Sequence, residues 1–457
     1  MTQATRRTIL AMLLAGCAVA GDAVAESPAA DLPSFLAIKE IDLANRGVFA
    51  PGAEWSDEME RVLVKVLTRL PAPATLAAAW AADAVAVSPR GEPTPLGDRL
   101  VRVAGRAIFV APRELPATIA ATSGRERYDL VRIVAAEGAV VDVAVARAPR
   151  AWPRWRAIDE PAAAVGLPLA AGTGPTPVAS AGDAARWPAT APDLLLAATR
   201  ITWQPPTALG RLGMDYALFD TVVEDRRLEP GDTEAFWAMM AAAARTTPAE
   251  IARAAGGPTD ILALIDPAQQ WFETHRGDPV VIEGVARTAR RIAIDEPERQ
   301  AAVGSDHYWE LEVFIDTPTI KVGERIQDRY PIVCCVAALP DGFPRGDDIG
   351  ERVRVPAFAF KRYNYSLRDA VITSSLEQSE IKGERMSTPL VIGPLAEWVQ
   401  PPSATGISNL LFGVFAGIIG LLGLLLAVNA WSTARDRRRS ARERRAALPD
   451  RLELPGE

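Results

Sequence analysis

The most apolar part of the chain lies near its C-terminus. Residues Leu410–Val428 form a run of nineteen (LLFGVFAGIIGLLGLLLAV) without a charged or strongly polar side chain. A helix of that length covers a bilayer hydrocarbon core of roughly 30 Å at about 1.5 Å per residue. The pattern therefore predicts a transmembrane helix over residues 407–431.

The charges that follow this run predict its orientation. Seven arginines lie between Arg435 and Arg445. Cationic flanks stay on the cytoplasmic side of a membrane, and they are attracted to anionic lipids. We therefore expect a basic cytoplasmic tail at 432–457 and an extracytoplasmic location for everything before the helix. The lipid bilayer is the first partner that the sequence implies.

Upstream of this run, helical periodicity gives way to strand-like alternation. Residues Asp57–Leu70 place apolar side chains at helical spacing behind Ser56, a preferred N-cap residue, and an alanine-rich helix is predicted to follow up to Ala86. Alternating and β-branched segments then predict five strands. These are Leu100–Val110, Tyr128–Ala135, Val140–Ala148, Ala163–Ala171 and Leu194–Trp203. Residues 26–206 are thus predicted to form a first unit.

The same order of elements returns in residues 207–402. A first helix is predicted from a cap at Asp232 or Thr233 up to Ala244, and two more are predicted over Pro248–Ala255 and Asp260–Thr274. Five strand-like segments follow. These are Pro279–Ile294, His307–Thr317, Tyr330–Leu339, Arg352–Tyr365 and Pro389–Val399. The repeated plan predicts an internal duplication.

Short sequence similarities between the two units favour this duplication. GDRLVRVAG at 97–105 is similar to GDPVVIEG at 277–284, and WQPP at 203–206 is similar to WVQPP at 398–402. Each pair falls at the same place in its unit. The predicted fold class is therefore α+β and β-rich, with two repeated units of helices and strands plus one C-terminal transmembrane helix.

Each five-stranded antiparallel unit resembles an OB-fold barrel, whose long first strand bends to serve both sides of the barrel. Gly105 and Gly284 occupy the position where such a bend is expected. An immunoglobulin-like sandwich is the alternative, but it has about seven strands.

The second unit also resembles uncharacterised exported single-pass proteins of some bacteria. The resemblance rests on YPIVCC at 330–335, LPDGFP at 339–344, ERVRV at 351–355 and FKRY at 360–363. It implies a place in the cell envelope and no known catalytic residues.

The N-terminus has the pattern of an export signal over residues 1–25. Arg6 and Arg7 precede the short apolar run Ile9–Ala15, and small residues end the segment. Simple cleavage competes with lipidation of Cys17 after the run LAGC, and with twin-arginine export. All three alternatives deliver the following units across a membrane.

Charge and composition restrict the classes of function that the chain can have. Hydrophobic residues make up 49% of the chain and charged residues 23%, a globular composition. Residues 26–406 carry 40 basic and 51 acidic side chains, a net charge of −11. An acidic ectodomain argues against nucleic acid as a partner, because that binding relies on neutralising phosphates.

The sequence offers few residues for catalysis. Ser305, Asp306 and His307 are consecutive and are interpreted as a turn before a strand, since triad members meet through folding. We recognise no phosphate loop or metal-ligand spacing, so no cofactor and no metal are predicted. The adjacent Cys334 and Cys335 are expected on opposite faces of a strand, with a vicinal disulfide as the alternative.

The candidate ligand-binding residues are Lys361, Arg362, Tyr363 and Tyr365, on the predicted fourth strand of the second unit. OB-folds present aromatic and cationic side chains of this kind to oligomers. The alternative is that alternate residues of this strand, including Phe358 and Phe360, cover the core.

Candidate residues for helix association are Gly413, Gly417 and Gly420, because small residues at this spacing let two membrane helices approach closely. The alternative is that glycine is simply common in membrane helices.

These patterns lead to three hypotheses on function. The first is a non-enzymatic envelope protein that binds a partner protein or wall polymer and self-associates, or pairs with another membrane protein, through its helix. The second is a membrane-tethered hydrolase or redox protein with an unrecognised site. The third is a structural spacer.

Overall fold

The chain divides into a compact unit Met1–Trp398 and a second unit Val399–Glu457. The computed structural model describes residues 31–51, 53–71, 74–172, 187–322, 325–366, 385–400 and 405–446. The predicted signal peptide at 1–25, with Cys17, lies outside these residues, as does the predicted tail from 447 onward. The fold is α+β and rich in strands.

In the described residues, three α-helices precede the first sheet. They are α1 (Leu32–Ile38), α2 (Asp57–Arg69) and α3 (Ala74–Ala82). The predicted amphipathic helix is confirmed as α2, which Ser56 caps by accepting a hydrogen bond from the Met59 amide at 3.4 Å. The alanine-rich helix ends at Ala82 rather than Ala86, because residues 85–86 instead form a strand that hydrogen-bonds to the sheet.

The first sheet has six strands in the described part of the chain. They are β1 (Val85–Ala86), β2 (Val101–Glu114), β3 (Arg127–Ala135), β4 (Val140–Val145), β5 (Ala157–Ala171) and β6 (Leu194–Trp203), with α4 (Ala117–Ser123) after β2. The five predicted strands are all found. Strand β5 begins earlier than predicted, because Ala157 already pairs with Phe109 of β2.

Short helices precede the second sheet along the chain. They are α5 (Ala208–Arg211), α6 (Thr233–Ala243), α7 (Pro248–Ala255), α8 (Ile261–Ile265) and α9 (Trp271–His275). The single helix predicted over Asp260–Thr274 is wrong. Pro267 begins a separate 3₁₀ turn and Gln270 has a positive φ of 46°, so the segment divides into α8 and α9.

The second sheet also has six strands among the described residues. They are β7 (Pro279–Ala293), β8 (His307–Val322), β9 (Arg325–Ala338), β10 (Gly346–Ser366), β11 (Arg385–Leu395) and β12 (Glu397–Trp398), with α10 (Pro297–Val303) after β7. The five predicted strands are again found. The predicted last strand, Pro389–Val399, is divided into β11 and β12, which pair with β10 separately.

The two sheets share one order of pairing. In the first, β2 pairs antiparallel with β3 and β5, while β4 pairs with β3 and β6 with β5. In the second, β7 pairs with β8 and β10 in the same way. The third and fifth long strands are parallel in both sheets, β4 with β6 and β9 with β11. The expectation of purely antiparallel units is therefore wrong, because the fourth strand acts as the crossover that a parallel pair needs.

The two predicted bend glycines both lie where another strand approaches closely. A Cβ on Gly105 would stand 2.0 Å from the Val134 carbonyl oxygen, and a Cβ on Gly284 would stand 2.4 Å from that of Phe314. A register shift follows each glycine, after Ala107 in β2 and after Ala286 in β7. Only glycine fits the backbone contact at these positions.

Each sheet carries apolar clusters on both faces. In the second sheet, Leu311 and Cys334 belong to one cluster, whereas Tyr308 and Cys335 belong to another that α6 covers. Neighbouring residues of a strand point to opposite faces. The predicted opposite orientation of the two cysteines is therefore confirmed.

The C-terminal unit Val399–Glu457 contains one long helix among its described residues, α11 (Thr405–Ala446). Its part Phe412–Arg444 is long and apolar enough to cross a membrane, and the most apolar stretch within it has a mean hydropathy of 2.2 and is not buried inside the structure. The predicted helix at 407–431 is confirmed and continues into the basic segment.

Candidate functional site

The candidate ligand-binding residues lie on the last part of β10, where its neighbours change. Strand β7 pairs with β10 only as far as Phe358, whereas β11 pairs with β10 up to Ser366. The edge that β7 leaves is covered by residues 224–232, which we name the acidic strap. The Asp225 amide donates to the Arg362 carbonyl at 2.9 Å, and the Asn364 amide donates to the Arg226 carbonyl at 3.3 Å.

Lys361 is fully buried beneath this strap. Its Nζ lies 2.9 Å from Asp232 Oδ2, and the two side chains are 0% and 3% exposed. The same carboxylate accepts the Glu229 amide at 2.8 Å, and Lys361 also donates to the Arg227 carbonyl at 3.4 Å. The charge of Lys361 is therefore neutralised inside the protein.

Arg362 is held just as closely. Its Nε and Nη2 donate to the two oxygens of Asp225 at 2.6 and 2.5 Å, a bidentate pair. The hydrogen bond from Arg362 lowers the pKa of Asp225, and a further bond from Ser387 acts in the same direction. Asp225 itself has a left-handed φ of 55°. The strap thus holds a strained residue in place to reach this arginine.

A third cation completes the contact between strap and strand. Arg276 pairs with Glu224, and it also donates to the Phe360 carbonyl at 2.9 Å. Glu224 in turn accepts the Arg362 amide at 2.6 Å. Three acids of the strap are therefore matched by three cations on or beside β10.

The aromatic residues of β10 divide between core and surface. Phe358 and Phe360 are buried, and the Phe360 ring meets the Phe236 ring of α6 at 5.9 Å. Phe358 and Phe360 therefore cover the core, as that alternative predicts. The residues next to them, Ala359 and Lys361, are buried as well, so the strand does not alternate between core and solvent here. Tyr363 is half-buried against the same cluster. Tyr365 is placed opposite Met386, and its side chain lies outside the described residues.

The strap is the part of this site that the sequence pattern does not identify. Its segment VVEDRRLEPGD at 222–232 shows mixed charges and a proline, which are typical of a surface loop. Asp232 and Lys361 are 129 positions apart. Local charge patterning therefore flags the acids but not their partners.

Ser305, Asp306 and His307 do come together, but not as a catalytic triad. The Ser305 hydroxyl lies 3.2 Å from His307 Nδ1, and Asp306 Oδ1 lies 2.5 Å from that same nitrogen. A triad needs the hydroxyl and the carboxylate on different ring nitrogens. The predicted interpretation as a turn before a strand fits this geometry.

The two strand cysteines are free and buried. Burial raises the pKa of both thiols, and neighbouring Glu310 raises that of Cys335 further. Reactive cysteines need the opposite, a lowered pKa and access to solvent. Their environment is that of apolar core residues.

A cluster of carboxylates lies on the face of β8 opposite Leu311. Burial raises the pKa of Glu310 and of Glu312, and Arg290 partly offsets this in both cases. Arg290 itself pairs with Asp347 at 2.8 Å. Three acids therefore share one guanidinium. Within the described residues, no three His, Cys, Asp or Glu side chains are placed to hold a metal ion.

The candidate helix-association residues lie along one side of α11. Gly413, Gly417 and Gly420 are separated by four and three residues, which places them on a common face. A Cβ at any of them would meet open space. The geometry leaves this face accessible for close approach by another helix.

The chain matches no protein-family model, and no curated protein sequence is significantly similar to it. Its function therefore has to be argued from its own residues.

Proposed function

We propose that this chain is a single-pass membrane protein of the bacterial envelope whose two N-terminal units lie outside the cytoplasm and bind a partner without catalysing a reaction. The observation that carries the proposal is the apolar surface of α11, of which no part is buried over the membrane-length window. Such a surface is stable only in a bilayer or against other apolar helices. The arginines after it favour a cytoplasmic tail.

We further propose that each sheet closes into an OB-like barrel and that the units arose by duplication. Support comes from the first long strand, which pairs with both the second and the fourth in each sheet. A parallel third and fifth strand, and a glycine followed by a register shift in the first strand, occur in both. Domain boundaries at 26–206 and 207–402 follow from this proposal.

The partner is more consistent with a protein than with an anionic polymer. Lys361 and Arg362 already have carboxylate partners in the strap, so binding a polyanion there would first require the strap to leave. Breaking a buried ion pair is strongly destabilising. The accessible groups at this end of β10 are those of the strap surface, such as Arg226, and of Asn364.

The enzymatic alternative has less support. Both functional groups beside His307 meet the same nitrogen, and both strand thiols are buried with raised pKa values. A hydrolase would have to use other residues, and a redox protein would have to expose Cys334 or Cys335 first.

Photo-crosslinking in living cells tests the proposal. A photoreactive amino acid at Arg226, on the strap, is compared with one at Arg287, which is also exposed but lies on β7. We expect a discrete protein adduct from the strap position and none from β7. Equal adducts from both positions, or a carbohydrate adduct, would contradict a protein partner at this surface.

A further inference from the structure

The helix α11 does not stop where its apolar part ends. It continues past Trp431 as one helix to Ala446, and this extension carries seven arginines against only Asp436 and Glu443. Side chains of 432–444 are exposed. The extension has no apolar face with which it could lie flat in a membrane surface.

The arginines of the extension do not form a single stripe. Successive residues of an α-helix are about 100° apart around its axis, so Arg437, Arg438 and Arg439 point in three directions. Asp436 and Glu443 are seven residues apart and share one narrow side. The basic groups therefore form a collar that is open only on the side of these two acids. A partner that can meet several sides of a helix at once fits this arrangement better than a protein that meets one side.

Distance along the axis divides the arginines into two groups. Measured from Val428 at about 1.5 Å per residue, Arg435 stands about 10 Å and Arg439 about 16 Å beyond the apolar run. Arg442 and Arg444 stand about 21 and 24 Å beyond it. A lipid headgroup layer extends only about 5–7 Å past the hydrocarbon core.

Side-chain direction brings the first group back to the headgroups. Helical side chains tilt toward the N-terminus, which for this extension is the direction of the apolar run. The guanidinium of Arg435 lies over the Trp431 ring at 5.4 Å, in agreement with that direction. The next three arginines can therefore reach a phosphate layer, whereas Arg442 and Arg444 stay about one Debye length, roughly 8 Å, away from it.

We propose that Arg435, Arg437, Arg438 and Arg439 form a collar that binds the phosphate groups of anionic phospholipids around α11, while Arg442 and Arg444 project beyond the headgroups. This inference rests on the proposed membrane span. It adds the lipid class and the residues that select it.

Two matched variants of the full chain test the collar. The inner variant carries R437Q, R438Q and R439Q, and the outer variant carries R442Q, R444Q and R445Q, so each loses three charges. Each protein is reconstituted in vesicles of about four parts phosphatidylcholine to one part phosphatidylglycerol, an anionic lipid. Spin-labelled forms of the two lipids then report, by electron paramagnetic resonance, which lipid the helix prefers as its neighbour.

We expect the wild-type chain to prefer phosphatidylglycerol. The inner variant should lose most of this preference, because an arginine close to an anionic surface contributes up to roughly fivefold. The outer variant should keep most of it. Equal losses in both variants would overturn the collar in favour of an extension that lies along the surface, and no wild-type preference would overturn it outright.

A separate measurement tests the membrane span on which the collar depends. Alkaline carbonate extraction of the three proteins from membranes reports insertion without regard to lipid type. If all three proteins stay in the membrane and the inner variant keeps the wild-type preference for phosphatidylglycerol, the collar is refuted and the membrane span is not. Release of the wild-type chain would refute the span itself.

Discussion

Lys361→Met is the substitution that most sharply separates a structural lysine from a ligand-binding one. It removes a fully buried ammonium and leaves Asp232, 3% exposed, with only the Glu229 amide as a described partner. Removing one member of a buried ion pair typically destabilises a protein by about 3–5 kcal/mol. Since total stabilities are about 5–15 kcal/mol, the expected loss is a large share of the whole.

Urea unfolding of the full chain in mild detergent, followed by tryptophan fluorescence, measures this loss. The matched control is Arg106→Met, which breaks the exposed pair with Asp159 and should leave the unfolding midpoint almost unchanged. The double variant Lys361→Met with Asp232→Asn should recover part of the loss, because no unpaired charge then remains buried. A loss below about 1 kcal/mol for Lys361→Met would refute the structural role assigned to this residue.

Three further outcomes are expected. Burial raises the folded pKa of Glu310, so its contribution to stability is complete below the unfolded pKa of about 4.3 and is lost as pH rises through the higher folded value. Glu310→Gln should therefore raise the urea midpoint at pH 7 and flatten its dependence on pH between 4 and 8, and an unchanged slope would contradict this. Gly284→Ala should destabilise by about 1–3 kcal/mol, because its Cβ meets a neighbouring backbone, whereas Ala at the open Gly350 serves as control. Replacing Gly413 and Gly420 with leucine should abolish helix association measured by in-membrane energy transfer, and association that survives both changes would reduce the helix to a tether.

Much of the fold could be predicted because its signals are local. The N-cap residue Ser56 predicts the start of α2, and the alternation of side chains along a strand predicts that Cys334 and Cys335 point to opposite faces. Gly105 and Gly284 are singled out as bend positions by their place in a long strand, and the structure shows close backbone contacts and register shifts there. Each of these depends on a few neighbouring residues.

The remainder depends on contacts between distant parts of the chain. The parallel pairing of β9 with β11 requires β10 to cross between them, and no local pattern encodes it. The strap likewise meets Lys361 and Arg362 across more than a hundred positions. The basic and aromatic pattern of this strand is therefore compatible both with a binding face and with a core strand, and it does not reveal that its cations are paired within the fold. The break at Pro267, by contrast, was visible in the sequence.

The orientation of α11 is the central claim, and cysteine accessibility tests it most directly. Arg226→Cys and Arg444→Cys are made singly with Cys17→Ser, since the two remaining native thiols are buried. A membrane-impermeant maleimide is applied to intact spheroplasts and then after permeabilisation. We expect Arg226→Cys to react at once and Arg444→Cys to react only after permeabilisation. Reaction of Arg444→Cys in intact spheroplasts, with Arg226→Cys protected, would contradict the proposed orientation.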